Sequence, residues 1–343
     1  GYQGSYSISH QIADKPASFI AGLQYRHDLT SYSELSKTAN RILLLERLKF
    51  GNIQEANASL FLEETVSLSQ QWTLTAGLRY EYFANQYTDF LLDAEKQAVP
   101  SHLLLPKLHV YYTPRQNIQL YFTNGRGFHS NDTRAVISQN GLETLPSAYG
   151  SDVGIVIKPT SKLLINSSLW YLWLNQEFVY VGDAAIVEPS GATRRLGVDV
   201  SVRYQLLPFL FLDTDVNWAV PRAIGEAKGE NFIPLAVPFT SMGGVTLKNK
   251  KGWSGSFRYR YVANRPANED FSITAQGYWV NDAFIQYKHK KITYGLSIQN
   301  IGNVQWKETQ FATLSRLQQE TVPVEEIHFT PGTPFNAKAF IGY

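Results

Sequence analysis

Trp253-Ser-Gly-Ser-Phe-Arg-Tyr-Arg-Tyr261 alternates in character along its length. Trp253, Phe257, Tyr259 and Tyr261 fall on one side, and Ser254, Ser256, Arg258 and Arg260 on the other. Successive side chains of an extended chain point to opposite faces, so this stretch predicts a strand with one aromatic and one charged face. The same period recurs through the sequence. Leu74, Ala76, Leu78, Tyr80 and Tyr82 oppose Thr73, Thr75, Arg79 and Glu81. Leu196, Val198, Val200, Val202 and Tyr204 oppose Arg195, Asp199, Ser201 and Arg203, and Leu212, Val216, Trp218 and Val220 oppose Asp213, Asp215 and Asn217. Helical periodicity is nearly absent, and the neighbours of Leu43–Lys49 favour strand there too. The reading is all-β.

Composition narrows the class. Only 17% of the 343 residues are charged, against about 25% in an ordinary soluble domain, while aromatics reach 13%. There is no cysteine, which excludes disulfides, thiolate zinc sites and a cysteine nucleophile. A net charge of +2 argues against a nucleic-acid partner, whose phosphates need a basic surplus. Low charge raises the question of a membrane. A spanning helix needs about 20 apolar residues. The longest uncharged run, Asn231–Leu247, contains Pro234 and Pro238, so no helical span is expected. The first residues lack the basic stretch and apolar core of a signal peptide.

Turn spacing supplies the architecture. Short polar turns are expected near 14–17, 69–71, 113–117, 158–162, 206–208, 248–252 and 288–291, mostly about 40–47 residues apart. Between them lie longer connections near 34–55, 88–102, 128–147, 182–193, 221–237, 264–275 and 302–334. Short turns at one end and long loops at the other, with low charge and many aromatics, predict a transmembrane antiparallel up-and-down β-barrel. A sandwich or propeller would not distinguish its two ends, and a solenoid would repeat in sequence.

The last strand places Phe335, Ala337, Ala339, Ile341 and Tyr343 on one face. A terminal aromatic preceded by alternating apolar residues resembles the C-terminal signature of bacterial outer-membrane proteins, read by the barrel assembly machinery; Phe335, Ile341 and Tyr343 carry it. Four further stretches resemble the barrel of TonB-dependent outer-membrane receptors: Tyr121-Phe-Thr-Asn-Gly-Arg-Gly-Phe-His-Ser-Asn131, Pro189-Ser-Gly-Ala-Thr-Arg-Arg-Leu-Gly-Val-Asp199, Tyr278-Trp-Val-Asn-Asp-Ala283, and Leu296-Ser-Ile-Gln-Asn-Ile-Gly-Asn303 before Trp306. The resemblance rests on their order and spacing and covers most of the chain.

That family implies a 22-stranded barrel around an N-terminal plug. Seven short turns and the final strand make fifteen strands here, whereas bacterial single-chain barrels have an even number. Residues 1–343 are therefore expected to be the C-terminal portion of the barrel, with the plug, its TonB-contacting segment and the first strands lying outside this chain. The resemblance implies an active-transport receptor of the Gram-negative outer membrane. Its loops would bind a scarce solute, a siderophore–iron complex first among candidates, and TonB would supply the energy. The other readings are a passive porin with a charged lumen and a structural or adhesive barrel. Partners expected are the TonB complex, the assembly machinery, lipid and lipopolysaccharide, and the solute.

Candidate residues follow from this reading. Charge facing lipid costs about 2–4 kcal/mol at the midplane, so Arg79, Glu81, Arg203, Asp213, Asp215, Arg258 and Arg260 are expected to face the lumen. Long loops suggest His129, Asp132, Arg134, Arg265, Glu269, Trp306 and His328 as ligand contacts. Enzymatic chemistry finds no support: His129, Ser130 and Asp132 are too close in an extended segment to form a triad. No cofactor is implied. Gly125-Arg-Gly127 lacks the third glycine and helix of a nucleotide loop. Asp213, Asp215 and Asn217 begin like a calcium loop but meet Trp218 where glycine is required. The seven histidines are scattered without ligand spacing, so no metal is expected.

Overall fold

The computed structural model describes residues 1–92, 97–138, 143–181 and 186–343. Its strands, in chain order, are β1 (Tyr2–Ile12), β2 (Lys15–Ala39), β3 (Leu43–Ser67), β4 (Trp72–Asp89), β5 (Gln97–Arg115), β6 (Ile118–Phe128), β7 (Ser147–Thr160), β8 (Leu163–Leu174), β9 (Glu177–Val181), β10 (Ile186–Ser190), β11 (Thr193–Leu207), β12 (Leu210–Ala223), β13 (Phe239–Lys250), β14 (Trp253–Val262), β15 (Arg265–Pro266), β16 (Thr274–Ala275), β17 (Tyr278–His289), β18 (Ile292–Gln299), β19 (Lys307–Ser315), β20 (Val324–Pro331) and β21 (Asn336–Gly342). A six-residue helix, α1 (Thr133–Ser138), lies between β6 and β7. Fifteen strands form one sheet in chain order, while β9–β10, β15–β16 and β19–β20 are separate two-stranded ladders in the long connections. The fold is all-β with that single short helix among the described residues.

The chain forms two compact units. One comprises residues 1–112, 122–151 and 174–176; the other comprises residues 113–121, 152–173 and 177–343. In the first unit β2 pairs β1 and β3, and β4 pairs β3 and β5, all antiparallel. In the second, β11 through β14, β17, β18 and β21 pair in succession. Directly opposed residues share a face in such ladders, so each strand's alternation adds up to one apolar and one polar surface.

The apolar surface is open. Leu60, Leu62, Trp218, Phe257, Trp279 and Ile285 are exposed although they are large and hydrophobic. Aromatic pairs edge it at two levels in the second unit. Trp253 packs on Tyr287 at 4.7 Å next to the short turns, and Trp279 packs on Tyr259 at 5.0 Å and Tyr261 at 5.8 Å toward the long loops. Along β14, Trp253 and Tyr261 are about 26 Å apart at 3.3 Å per residue, or about 20 Å in height at a tilt of about 40°, somewhat less than an apolar band about 25 Å tall.

One expected connection is strand instead. β2 and β3 run for 25 residues each and are joined by Asn40, Arg41 and Ile42 alone. Asn40 and Arg41, central in the turn closed by Ile42 N on Ala39 O, have positive φ, at 52° and 61°, as a tight hairpin turn requires. Across the projecting ribbon Lys37 pairs with Glu46 at 3.0 Å and Arg47 with Glu34 at 3.1 Å. Polar residues that read as loop are here cross-strand ion pairs.

Candidate functional site

In the first unit the polar face is organised around Arg79 on β4. Register places Gln24, Ser59 and Glu81 in one row, and Gly22, Phe61 and Arg79 in the next. The Arg79 guanidinium donates to Gln24 Oε1 at 2.6 Å and Ser59 Oγ at 2.7 Å, and ion-pairs with Glu81. Its Cζ sits 5.7 Å from the Phe61 ring centre. Glu81 is 3% exposed and also accepts from Asn57 Nδ2 at 2.7 Å. A buried carboxylate is tolerable only with its charge and lone pairs answered, and here both are. Beside it Glu63 reaches Lys107 across β4. Register puts Gly77 between them, and a Cβ there would lie 2.6 Å from the Lys107 side chain.

The connection after β6 folds onto this face. Asp132 starts α1: its carbonyl accepts Val136 N at 3.0 Å and its carboxylate accepts Arg134 N at 2.8 Å. The same carboxylate holds the Arg134 side chain at 2.6 Å, which raises the guanidinium above its usual pKa. Thr133 donates to Glu55 on β3. Asn85 and Tyr87 on β4 are buried. His129 stays exposed.

In the second unit Arg203, Asp213, Gly244, Arg258 and Asp282 form one lateral row across five strands. Asp215 and Arg260 belong to the next row. Arg203 pairs with Asp215 at 2.8 Å, Arg258 with Asp213 at 2.5 Å, and Arg260 with Asp282 at 3.6 Å. The middle pair spans a whole strand, because β13 contributes only Gly244 between its members. A cavity of about 350 Å³ opens on this face, lined by Asn166, Ser168, Asp199, Ser201, Asp215 and Asn217 among others.

The long connections of the second unit interlock. Asn300 is 2% exposed and fully satisfied: its N–H donates to Asp282 Oδ1 (2.8 Å), its Nδ2 to the carbonyls of Val304 (2.9 Å) and Thr333 (3.1 Å), and its Oδ1 accepts Val304 N (2.8 Å). Asn303 Oδ1 accepts Phe335 N at 3.0 Å, closing the other side of the same connection. Both asparagines have positive φ, which asparagine tolerates better than most residues. Trp306 is buried over Gly332, donates to Thr333 O at 3.0 Å, and packs on Tyr278 at 4.8 Å. Gln310 is tied to the backbone of Gln276 by two bonds of 2.8 and 2.9 Å. Leu235 N donates to Pro266 O at 2.7 Å, and Phe232 N to Glu269 O at 3.1 Å. Connections 221–237, 264–275 and 302–334 thus form one hydrogen-bonded assembly rather than three free loops.

A family model described as TonB dependent receptor-like, beta-barrel, matches residues 1–301. The chain belongs to the TonB-dependent receptor family. Solved structures agree in fold. The ferric citrate transporter FecA superposes with a TM-score of 0.80 at 14% identity, covering 99% of this chain and 53% of FecA. The siderophore receptor PiuA from Acinetobacter baumannii gives 0.75 at 11%, covering 99% and 55%. Copper transporter OprC gives 0.73 at 14%, covering 99% and 56%. This receptor chain therefore spans about half the length of these relatives. No curated protein matches it in sequence.

Within the receptor barrel, the expected polar-face residues Arg79, Glu81, Arg203, Asp213, Asp215, Arg258 and Arg260 occupy one face within each unit and pair as described. The loop candidates separate by environment. Arg265 and Trp306 are buried, Glu269 is exposed, Asp132 and Arg134 hold each other, and His328 lies 3.1 Å from Ser315 Oγ and 3.7 Å from Glu326. Sequence reasoning did not single out Gln310, Gly77 or Gly244. Nothing local marks them, because their roles depend on strands far away in the chain.

Proposed function

We propose that the chain is the C-terminal portion of a 22-stranded receptor barrel in the outer membrane of a Gram-negative bacterium. On this reading the barrel imports a scarce solute captured by the extracellular connections, with energy delivered by TonB through a plug domain lying outside the chain. The observation that carries the reading is the open apolar surface, edged by aromatic pairs in the second unit and backed by a polar face with cross-strand ion pairs. An exposed apolar surface of that extent needs a non-aqueous neighbour, and lipid meets the need. The polar face then lines the lumen and packs against the plug, and lipopolysaccharide lies against the aromatic row near the long connections. A siderophore–iron complex is the solute class favoured, since FecA and PiuA are named for ferric citrate and siderophores.

Deleting the gene for the full receptor is expected to abolish high-affinity uptake of one iron chelate during iron-limited growth, measured with radioactive iron. Uptake unchanged for all chelates tested would refute the import reading, and free ion conductance by the intact receptor in planar bilayers would favour a passive pore. A second expectation concerns assembly. Tyr343 is 95% exposed, so its deletion removes almost no packing. Loss of folded receptor from outer-membrane fractions with unchanged urea stability of the fraction that folds would support recognition of Phe335, Ile341 and Tyr343 by the assembly machinery. Normal yields would exclude it.

A further inference from the structure

Arg265 is 8% exposed, and its side chain makes no hydrogen bond or ion pair among the described residues. Its Nη1 is buried without a partner. The guanidiniums on the neighbouring strands behave differently: Arg203, Arg258 and Arg260 each reach an aspartate. Among the acids of the same connections, Asp270 accepts from Ser272 and Glu325 from Asn268, while Glu269 is exposed. Burial depresses the guanidinium pKa, and the Tyr278 phenol partly offsets this. An arginine nevertheless remains charged at neutral pH.

The backbone around Arg265 is held on several sides. Pro266 O accepts Leu235 N at 2.7 Å, Ala267 N donates to Ile273 O at 2.9 Å, and Arg265 pairs with Ala275. With the backbone held in this way, the Arg265 side chain stays largely out of water. Tyr278 also packs on Trp306, over which Arg260 lies at 5.5 Å, so a second guanidinium and two aromatic rings adjoin the site. A buried unpaired charge is strongly unfavourable until a counter-ion arrives, and a guanidinium fork suits a carboxylate or similar oxyanion.

We propose that Arg265 is an anion-binding residue of this loop assembly, taking a carboxylate or comparable oxyanion of the transported solute. The assignment rests on the import reading above. Its test uses the full-length receptor in detergent micelles at fixed ionic strength, with citrate and inorganic phosphate as probes and trimethyl citrate as the uncharged control. Without anion, Arg265→Met is expected to melt above the wild type, because the buried charge is gone. Citrate or phosphate should raise the wild-type melting temperature saturably while trimethyl citrate does not. Arg265→Met should need about tenfold more anion or lose the response, the factor expected for one charged hydrogen-bonding partner. Arg265→Lys should keep part of it. The proposal is overturned if the wild type shows no saturable response or if Arg265→Met responds equally. It is also overturned if Arg265→Met melts lower without anion, which would assign the counter-ion to the receptor's own remaining residues. These readouts need no transport. Failed uptake with an intact anion response therefore removes only the import reading, and the reverse removes only the site.

Discussion

Replacing Trp306 by alanine is expected to release the connection 302–334 from the strands beneath it while the main sheet stays folded. The indole is buried, fills the space over Gly332, packs on Tyr278 and donates to Thr333 O at 3.0 Å. Removing a buried aromatic of this size costs about 3–5 kcal/mol through lost burial and the cavity left behind. The loss is local, since Thr333 O keeps its bond from Asn300 and the β18–β21 ladder does not involve Trp306. Limited proteolysis of the receptor in micelles is the direct measurement. Cleavage between residues 307 and 331 should accelerate by orders of magnitude in Trp306→Ala, with far smaller changes in the rest of the chain. Unchanged cleavage there would show that Asn300 and Gln310 suffice to hold the connection.

Glu81→Ala should be the most damaging single change on the polar face of the first unit. It removes a carboxylate that is 3% exposed and leaves Arg79 and Asn57 without their shared acceptor. Breaking one side of a buried pair costs about 3–5 kcal/mol, more than the pair contributes over an apolar replacement. Arg79 keeps Gln24 and Ser59, which places the expected loss toward the lower end. The double variant Arg79→Met/Glu81→Leu should recover most of the stability, because neither charge is then stranded. Urea unfolding followed by tryptophan fluorescence would read both. If the double variant is as unstable as the sum of the single changes, the two residues are not coupled and the Arg79-centred account fails.

How much of this was legible in the sequence depends on the range of the interaction concerned. The strand at Trp253–Tyr261, its two faces and the positions of the short turns follow from period two, a property of adjacent residues. The family resemblance likewise sits in continuous stretches, and Asn300-Ile-Gly-Asn303 was visible as a motif before its hydrogen bonds were known. The 25-residue strands β2 and β3 were not legible. Lys37, Glu46, Arg47 and Glu34 are polar enough to read as loop, and only cross-strand pairing makes them a ribbon. The short helix α1 was missed as well, since six residues give too little periodicity to detect.

The sequence by itself determined that this is an antiparallel sheet with an apolar and a charged face, fifteen main strands, and long connections at one end. Side-chain alternation is enforced by backbone geometry and needs no tertiary information. Tertiary structure alone decided which charges meet. Asp213 finds Arg258 because register sets Gly244 between them, Glu63 finds Lys107 across Gly77, and Arg265 Nη1 is buried without a partner. Register is fixed by the summed pairing of whole strands. A partner 45 residues away, as Arg258 is from Asp213, therefore cannot be read from either residue's own surroundings.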